Sequence, residues 1–196
     1  MSKSHTTLAK FIHWSFVVLY VYGVFKRVDD LDDLEDSSLL IFEVIFASLF
    51  LVIVIMRYIY MRRFETFQGS NVPVHKVHTL FAKTVHLSMY FTFIMLPITG
   101  LMIAGLFTQG YSDQDDLLMR IILAMHEFFA ALSYVLIATH VSAAIYSRVK
   151  AEGVWSSMVP IMKEDQPSTN KMITKISAIE EKIYDKVESI FSSNKK

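Results

Sequence analysis

Four long apolar runs alternate with short polar stretches along the chain, at residues 8–25, 39–61, 84–107 and 117–146. Each is long enough to cross about 30 Å of hydrocarbon as a helix. Lipid offers backbone groups no partners, so each run is expected to satisfy its own N–H and C=O groups as an α-helix. The third run contains "LPITG", with Pro97 and Gly100, where a kink is expected and is tolerated within a bundle. A fifth element follows a different pattern. In "NKMITKISAIEEKIYDKVESIF", Met172, Ile176, Ile179, Ile183, Val187 and Ile190 recur at helical spacing with charges between them. That is an amphipathic helix, which rests on a membrane surface or pairs with a partner helix. The expected fold is all-α. Residues 1–150 form an integral-membrane four-helix bundle, and residues 151–196 form a tail that carries the amphipathic helix.

Composition agrees with this reading. The chain has 196 residues and is 53% hydrophobic, too apolar for an ordinary soluble domain of its size. It has no cysteine, which excludes disulfides, thiolate metal sites and cysteine-held iron–sulfur clusters. Nineteen basic and nineteen acidic residues cancel, so nothing points to nucleic acid. The charges are segregated, however. "DDLDDLEDSS" separates the first two runs and "YSDQDD" the last two, whereas Arg57, Arg62, Arg63, Lys76 and Lys83 flank the middle loop. Lys3 and Lys10 precede the first run, and Arg148 and Lys150 follow the fourth. The positive-inside rule then places both termini, the middle loop and the amphipathic tail in the cytoplasm. Only Lys26, Arg27 and Arg120 lie near the outer side. Asp29, Asp30, Asp32, Asp33, Glu35 and Asp36 read as a solvated outer loop. "MSKSHTTLAKFIHW" shows no small-residue cleavage site after its apolar run and reads as the start of a retained first span.

The candidate chemistry lies in the spans. Of seven histidines, His13, His86, His126 and His140 fall within or at the edge of apolar runs. Each has a desolvation cost in lipid, so several in one small bundle point to function. His13 and His140 lie at similar depth near the cytoplasmic side, and His86 joins them at the start of the third run. His126 lies near the outer side. His126 and His140 are about four helical turns apart, roughly 21 Å along the axis, on one face of the helix. This suits two sites stacked across the membrane. Imidazole without thiolate leaves haem, zinc, copper or a proton path as options. Histidines on separate helices without a carboxylate cluster suit axial ligation of haem iron best. Zinc would need third and fourth ligands nearby, of which His86 is the one candidate. His75 and His78 read as solvated loop histidines. Glu43, a carboxylate near the start of the second run, is an ionisable group inside a span and calls for a partner.

Three segments together carry a family resemblance: "AKFIHW" in the first run, "VHLSMYFTFIMLPITGL" in the third and "MHEFFAALSYVLIATHVSAA" in the fourth. In this order, the chain resembles the bacterial cytochrome b561 family, four-helix membrane cytochromes with b-type haem, over roughly residues 5–150. The resemblance implies two haems, held by one histidine on the first helix, one on the second and two on the fourth. His13 and His140 match the cytoplasmic-side pair. His126 matches the fourth-helix ligand of the outer haem. Its partner would lie fourteen residues before the arginine that closes the second helix. That arginine is Arg57, and the position is Glu43.

Three readings of this departure stand. The chain carries one haem, with Glu43 and His126 hydrogen-bonded in the vacated space. Or a second haem persists, with His126 as its sole strong ligand or with a shifted partner. Or the register of the second helix differs. The resemblance also suggests that Arg57, with Arg62, Arg63 and Lys83, neutralises haem propionates, although topology alone accounts for these charges. His86 would bond a propionate or a helix end, replace a ligand, or line a quinone site.

The implied function is electron transfer in the respiratory chain of the bacterial inner membrane. Electrons would pass between the quinone pool and a redox partner protein or small-molecule donor, with superoxide one outer-side candidate. Whether the chain is a carrier or a quinone-linked oxidoreductase stays open. One alternative is a haem-free membrane protein in which Glu43, His126 and Glu127 move protons or bind a small ligand. Another is a cytochrome b anchor subunit of a larger oxidoreductase.

Overall fold

The computed structural model describes residues 5–26, 31–63, 76–111, 113, 116–159, 161 and 171–193. Arg27, Asp29, Asp30 and His75 lie outside them. Every regular element among the described residues is helical: α1 (Thr7–Phe25), a 3-10 turn (Leu31–Glu35), α2 (Ser37–Met61), α3 (Lys76–Thr108), α4 (Leu117–Val149), α5 (Val154–Met158) and α6 (Lys171–Ser193). The first four α-helices are long and apolar enough to cross a membrane. At 33 residues each, α3 and α4 reach about 50 Å, well beyond the hydrocarbon.

The largest difference from the sequence expectation is at the start of α3, which begins at Lys76 and not near residue 84. The added turns, "KVHTLFAK", mix charges with apolar residues and give a weak hydropathy signal. They are helical because their polar side chains find partners on α6, as set out below. α3 is assigned as one helix through Pro97. The Thr99 hydroxyl bonds the carbonyls of Met95 and Leu96 at 2.9 Å each, adding backbone satisfaction in the turn that proline disturbs. α3 then closes on a Schellman pair, Gly110 N–H to Phe107 C=O at 3.0 Å and Tyr111 N–H to Leu106 C=O at 3.1 Å. Gly110 takes the left-handed backbone that this cap requires, with φ 94°.

The described chain divides into two compact units. The first comprises Phe11–Arg63 and Ser88–Ile137, and so contains parts of all four spans. Its centre is aromatic. Phe16 of α1 lies 4.8 Å from Phe93 of α3 and 5.3 Å from Phe50 of α2, ring centre to ring centre. Val54 completes this cluster, and Ile137 of α4 packs on it. Close approach of α1 to α2 uses Gly23, where an added Cβ would stand 3.1 Å from the Phe46 ring. α1 is tied to α4 by a polar bond, Tyr20 to Ser133 at 2.7 Å. The Ser133 hydroxyl already donates to the Ala130 carbonyl at 2.6 Å, so Tyr20 is the donor.

A second apolar cluster closes the other end of this unit. Leu31 and Leu34 of the 3-10 turn are buried against Ile103, Met119 and Ile122. The acidic connection therefore does more than solvate. Its leucines plug the helix ends, while Asp32, Asp33 and Glu35 stay exposed. Asp36 caps α2, accepting from the Ser38 N–H at 2.8 Å and the Ser38 hydroxyl at 2.7 Å. Those bonds hold its carboxyl below the usual range.

The second unit comprises Met1–Lys10, Phe64–Leu87 and Ala138–Lys196. Here α6 docks on the ends of α3 and α4 through Glu180. The Glu180 carboxylate accepts from the Tyr146 hydroxyl and from the Lys150 ammonium, each at 2.8 Å. Lys150 also meets Glu152 at 2.6 Å. His78 lies on the first turn of α3 and not in a loop, 3.8 Å from Glu180 and 5.8 Å from the Tyr184 ring. Lys76 faces Glu188 at 3.7 Å.

Burial alone would raise the Glu180 carboxyl, but bonds from Lys150, Tyr184 and Tyr146 outweigh it and hold the group low. Burial likewise opposes the Lys150 ammonium, yet Glu152 and Glu180 hold it charged above its ordinary range. Burial and the bond to Glu180 both push the Tyr184 phenol up. The chain reaches Glu152 through a tight cap in which Ala151 adopts φ 54°, a left-handed conformation usually left to glycine.

Candidate functional site

Glu43 sits in the second turn of α2, half-buried. Its partner is Lys26, just past the end of α1, whose ammonium forms an ion pair with the carboxylate. Lys26 also stands 3.9 Å from the centre of the Phe42 ring. The pair joins α1 to α2 by a charge match that no local motif announces.

The Glu43–His126 hydrogen bond that one of the three readings supposed is not formed. His126 turns to α3, where its Nδ1 lies 2.9 Å from the Thr99 hydroxyl, with the Leu96 carbonyl as a second partner. The reason is electrostatic: a carboxylate gains more from an ammonium than from a neutral imidazole, and Lys26 is in reach. The protonation of His126 follows from the same contacts. The single Thr99 hydroxyl proton points to the Met95 and Leu96 carbonyls, so its oxygen accepts from the ring. Nδ1 is therefore protonated and Nε2 keeps its lone pair. Gly100 lies beside this ring, and a Cβ there would stand 3.5 Å from Cε1. Glu127, its sequence neighbour, is exposed.

Arg57 lies near the end of α2 in an aromatic setting. It bonds Tyr90 of α3 and stands 6.0 Å from the centre of the Phe16 ring. Tyr58 packs on Tyr90 at 5.2 Å. One guanidinium nitrogen, Nη1, is shut from solvent and has no hydrogen-bond partner among the described residues. The same holds for the hydroxyl of Thr92, which is fully buried on α3. Buried polar atoms of this kind are rare in native proteins and are costly unless a ligand or water satisfies them. An orphaned guanidinium N–H inside a membrane helix fits an anionic group such as a haem propionate.

In the other unit, His86 and His140 are neighbours, with ring centres 5.0 Å apart in an edge-on contact. His86 donates its Nδ1–H to the Ala82 carbonyl at 2.7 Å, because a carbonyl can only accept. The sequence put His86 at the depth of His140, and the structure adds that the rings touch. At this separation the two are not opposed axial ligands, whose ring centres would lie about 6 Å apart with iron between them. His86 stands beside the His140 ring. His13 packs edge-on against Trp14 at 5.8 Å. No cluster of three or more histidine or acidic side chains able to hold a bare metal ion occurs among the described residues.

Two members of this arrangement escaped sequence reasoning. Thr99 lies within "LPITG", where proline and glycine carry the local signal. Tyr90 had no signal, since one tyrosine among nine carries none.

No curated protein and no solved structure matches the chain. The family described as prokaryotic cytochrome b561 matches residues 4–160, which takes in all four spans and every histidine discussed above. Membership brings b-type haem and electron transfer within a membrane, consistent with four spans that carry imidazoles and buried polar atoms. The chain belongs to the prokaryotic cytochrome b561 family.

Proposed function

We propose that the chain is a one-electron carrier of the bacterial inner membrane, with both termini cytoplasmic, and that it holds a single b-type haem through His13 and His140. The family match supports the haem. The similar depth of the two histidines along their spans supports the pairing, and the segregation of basic residues supports the orientation. The observation that carries the stoichiometry is the Lys26–Glu43 ion pair. A carboxylate held by an ammonium is a poor axial ligand. With Glu43 held by Lys26, His126 has no histidine at the second-helix position to complete a bis-histidine site, and this supports a single, inner haem.

A b-type haem supplies a reversible one-electron change at iron. The protein's part is to place and tune it. Arg57 offers its orphaned Nη1 to a propionate, with Tyr90 steering the guanidinium. His86, in contact with His140, fixes the orientation of that imidazole. The aromatic packing of Phe16, Phe50 and Phe93 excludes water from the interior. Quinone in the surrounding lipid and a redox partner protein are the proposed donor and acceptor.

Haem per polypeptide, with a reduced-minus-oxidised spectrum of the detergent-solubilised protein, tests this reading. One low-spin haem is expected, lost in His13→Ala and in His140→Ala and kept in His126→Ala. Two haems in the parent protein, with one lost in His126→Ala, would overturn the stoichiometry. Full haem in both His13→Ala and His140→Ala would overturn the ligand assignment.

A further inference from the structure

α6 presents three distinct faces. Its docked face follows Ile173, Ser177, Glu180, Tyr184 and Val187, all partly buried. At about 100° per residue, Ile176, Ile179, Ile183 and Ile190 fall roughly 40–100° to one side of Glu180. These isoleucines are exposed, Ile179 at 59% and Ile183 at 55%. Of the apolar stripe legible in the sequence, Val187 turns into the docked face and Ile176 borders it, while Ile179, Ile183 and Ile190 point away.

Charge is sorted around that stripe. Lys175, Lys182 and Lys186 lie about 120–160° from Glu180 on the isoleucine side, and Glu181, Asp185 and Glu188 about 80–140° away on the other. Lysines therefore border the stripe on its outer edge, and Glu180 is the one acid beside it, on the docked edge. The stripe also continues the lipid-facing surface of a span. Ile145 and Val149, exposed at the end of α4, line a cavity of about 350 Å³ together with Ile173 and Ile176 of α6. Apolar surface thus reaches from α4 onto α6, with Ser142 and Tyr146 completing the lining of the cavity. Nearby, Arg148 stands 5.7 Å from the Trp155 ring, a pairing suited to the membrane–water boundary.

We propose that α6 lies in the membrane interface, with its isoleucine stripe at the acyl boundary and Lys175, Lys182 and Lys186 on anionic lipid phosphates. Glu180, bonded to Tyr146 and Lys150, holds the helix at the level where α4 leaves the hydrocarbon. The occupant of the stripe is a lipid surface, because lysines that flank isoleucines match anionic headgroups over acyl chains. An acidic partner helix would also satisfy the lysines, but the continuity with α4 favours lipid. This inference does not depend on the haem assignment.

The absence of native cysteine makes the test direct. Single nitroxides are placed by Ile179→Cys and by Glu181→Cys in the full-length protein. The protein is reconstituted in discs of equal parts phosphatidylcholine and phosphatidylglycerol, and collisions with oxygen and with a soluble nickel complex are compared. The Ile179 probe should favour oxygen and the Glu181 probe nickel. Replacing all three lysines by glutamine should weaken the Ile179 lipid signature in anionic discs, by about fivefold per lysine in the bound-to-free ratio, and leave it unchanged in phosphatidylcholine alone. If the Ile179 probe favours nickel, as the Glu181 probe does, the stripe faces water and the proposal fails. If it is shielded from both reagents, a protein covers the stripe and the proposal fails in favour of a partner helix or a second copy.

Discussion

Removing one member of the Lys26–Glu43 pair should be costly in an unequal way. The two side chains are 25% and 26% exposed, between the wholly buried and the surface case. Breaking a buried pair costs about 3–5 kcal/mol, and exposed pairs are worth about 0–1 kcal/mol. A coupling of about 1–2 kcal/mol is expected here. The asymmetry comes from Phe42. In Glu43→Gln, Lys26 keeps its place 3.9 Å from that ring, a contact worth about 0.5–2 kcal/mol. In Lys26→Met, the carboxylate of Glu43 stays on an apolar helix with no cation, at about 2–3 kcal/mol. The order of loss is Lys26→Met, then Glu43→Gln, with the double variant recovering part of the difference.

The assay is a double-mutant cycle on the purified protein in detergent, read by thermal or denaturant unfolding, with haem content measured in parallel. Haem content should stay constant across the cycle, because the proposed ligands are His13 and His140. Additive losses would refute the pair. A larger loss in Glu43→Gln than in Lys26→Met would refute the role of Phe42. Haem loss in Glu43→Gln would show that Glu43 takes part in cofactor binding.

Three further outcomes are expected. Thr99→Val keeps the shape of a fully buried residue and removes the acceptor of His126 Nδ1–H, leaving that group the Leu96 carbonyl. A loss of about 1 kcal/mol in unfolding follows, with an unchanged haem spectrum, and Thr99→Ser should restore most of it. The docking of α6 should depend on pH on the acid side. Glu180 is held below its ordinary value, so its contribution is full above the usual carboxylate range, about pH 4.3, and is lost as pH falls through the lowered value. The protection of α6 amides, taken relative to their intrinsic exchange rates, should therefore fall steeply below about pH 4 and not change with Lys150 through neutrality, because that ammonium, held charged above its ordinary range, does not titrate there. Ala151→Gly should relieve the left-handed backbone after α4 and gain up to about 1 kcal/mol in thermal unfolding, whereas Ala151→Val should lose more than that.

Much of this molecule is legible in one dimension. The four spans follow from apolar runs whose length is set by bilayer thickness, and lipid then forces each to be a helix. The family follows from histidines at fixed places on those runs. The amphipathic period of α6 is equally plain. Which atoms meet is another matter, because partners in a bundle come from different helices and no spacing rule links them. One reading of the sequence paired Glu43 with His126, yet Lys26 lies in reach and an ammonium is the stronger partner. His126 was singled out, but the threonine that fixes its proton was not, since one hydroxyl beside a proline and a glycine carries no distinctive signal. The acidic connection looked like solvated loop until Leu31 and Leu34 were seen to plug the helix ends. α3 starts earlier than hydropathy suggests, because His78 and Lys76 gain acidic partners on a helix some hundred residues away in the chain. The docked face of α6 takes only the edge of its apolar stripe, because the bonds of Glu180 to Tyr146 and Lys150 set the rotation of the helix. Sequence set the elements through local chemistry and the solvent they must face, and tertiary structure chose the partners through contacts between residues distant along the chain.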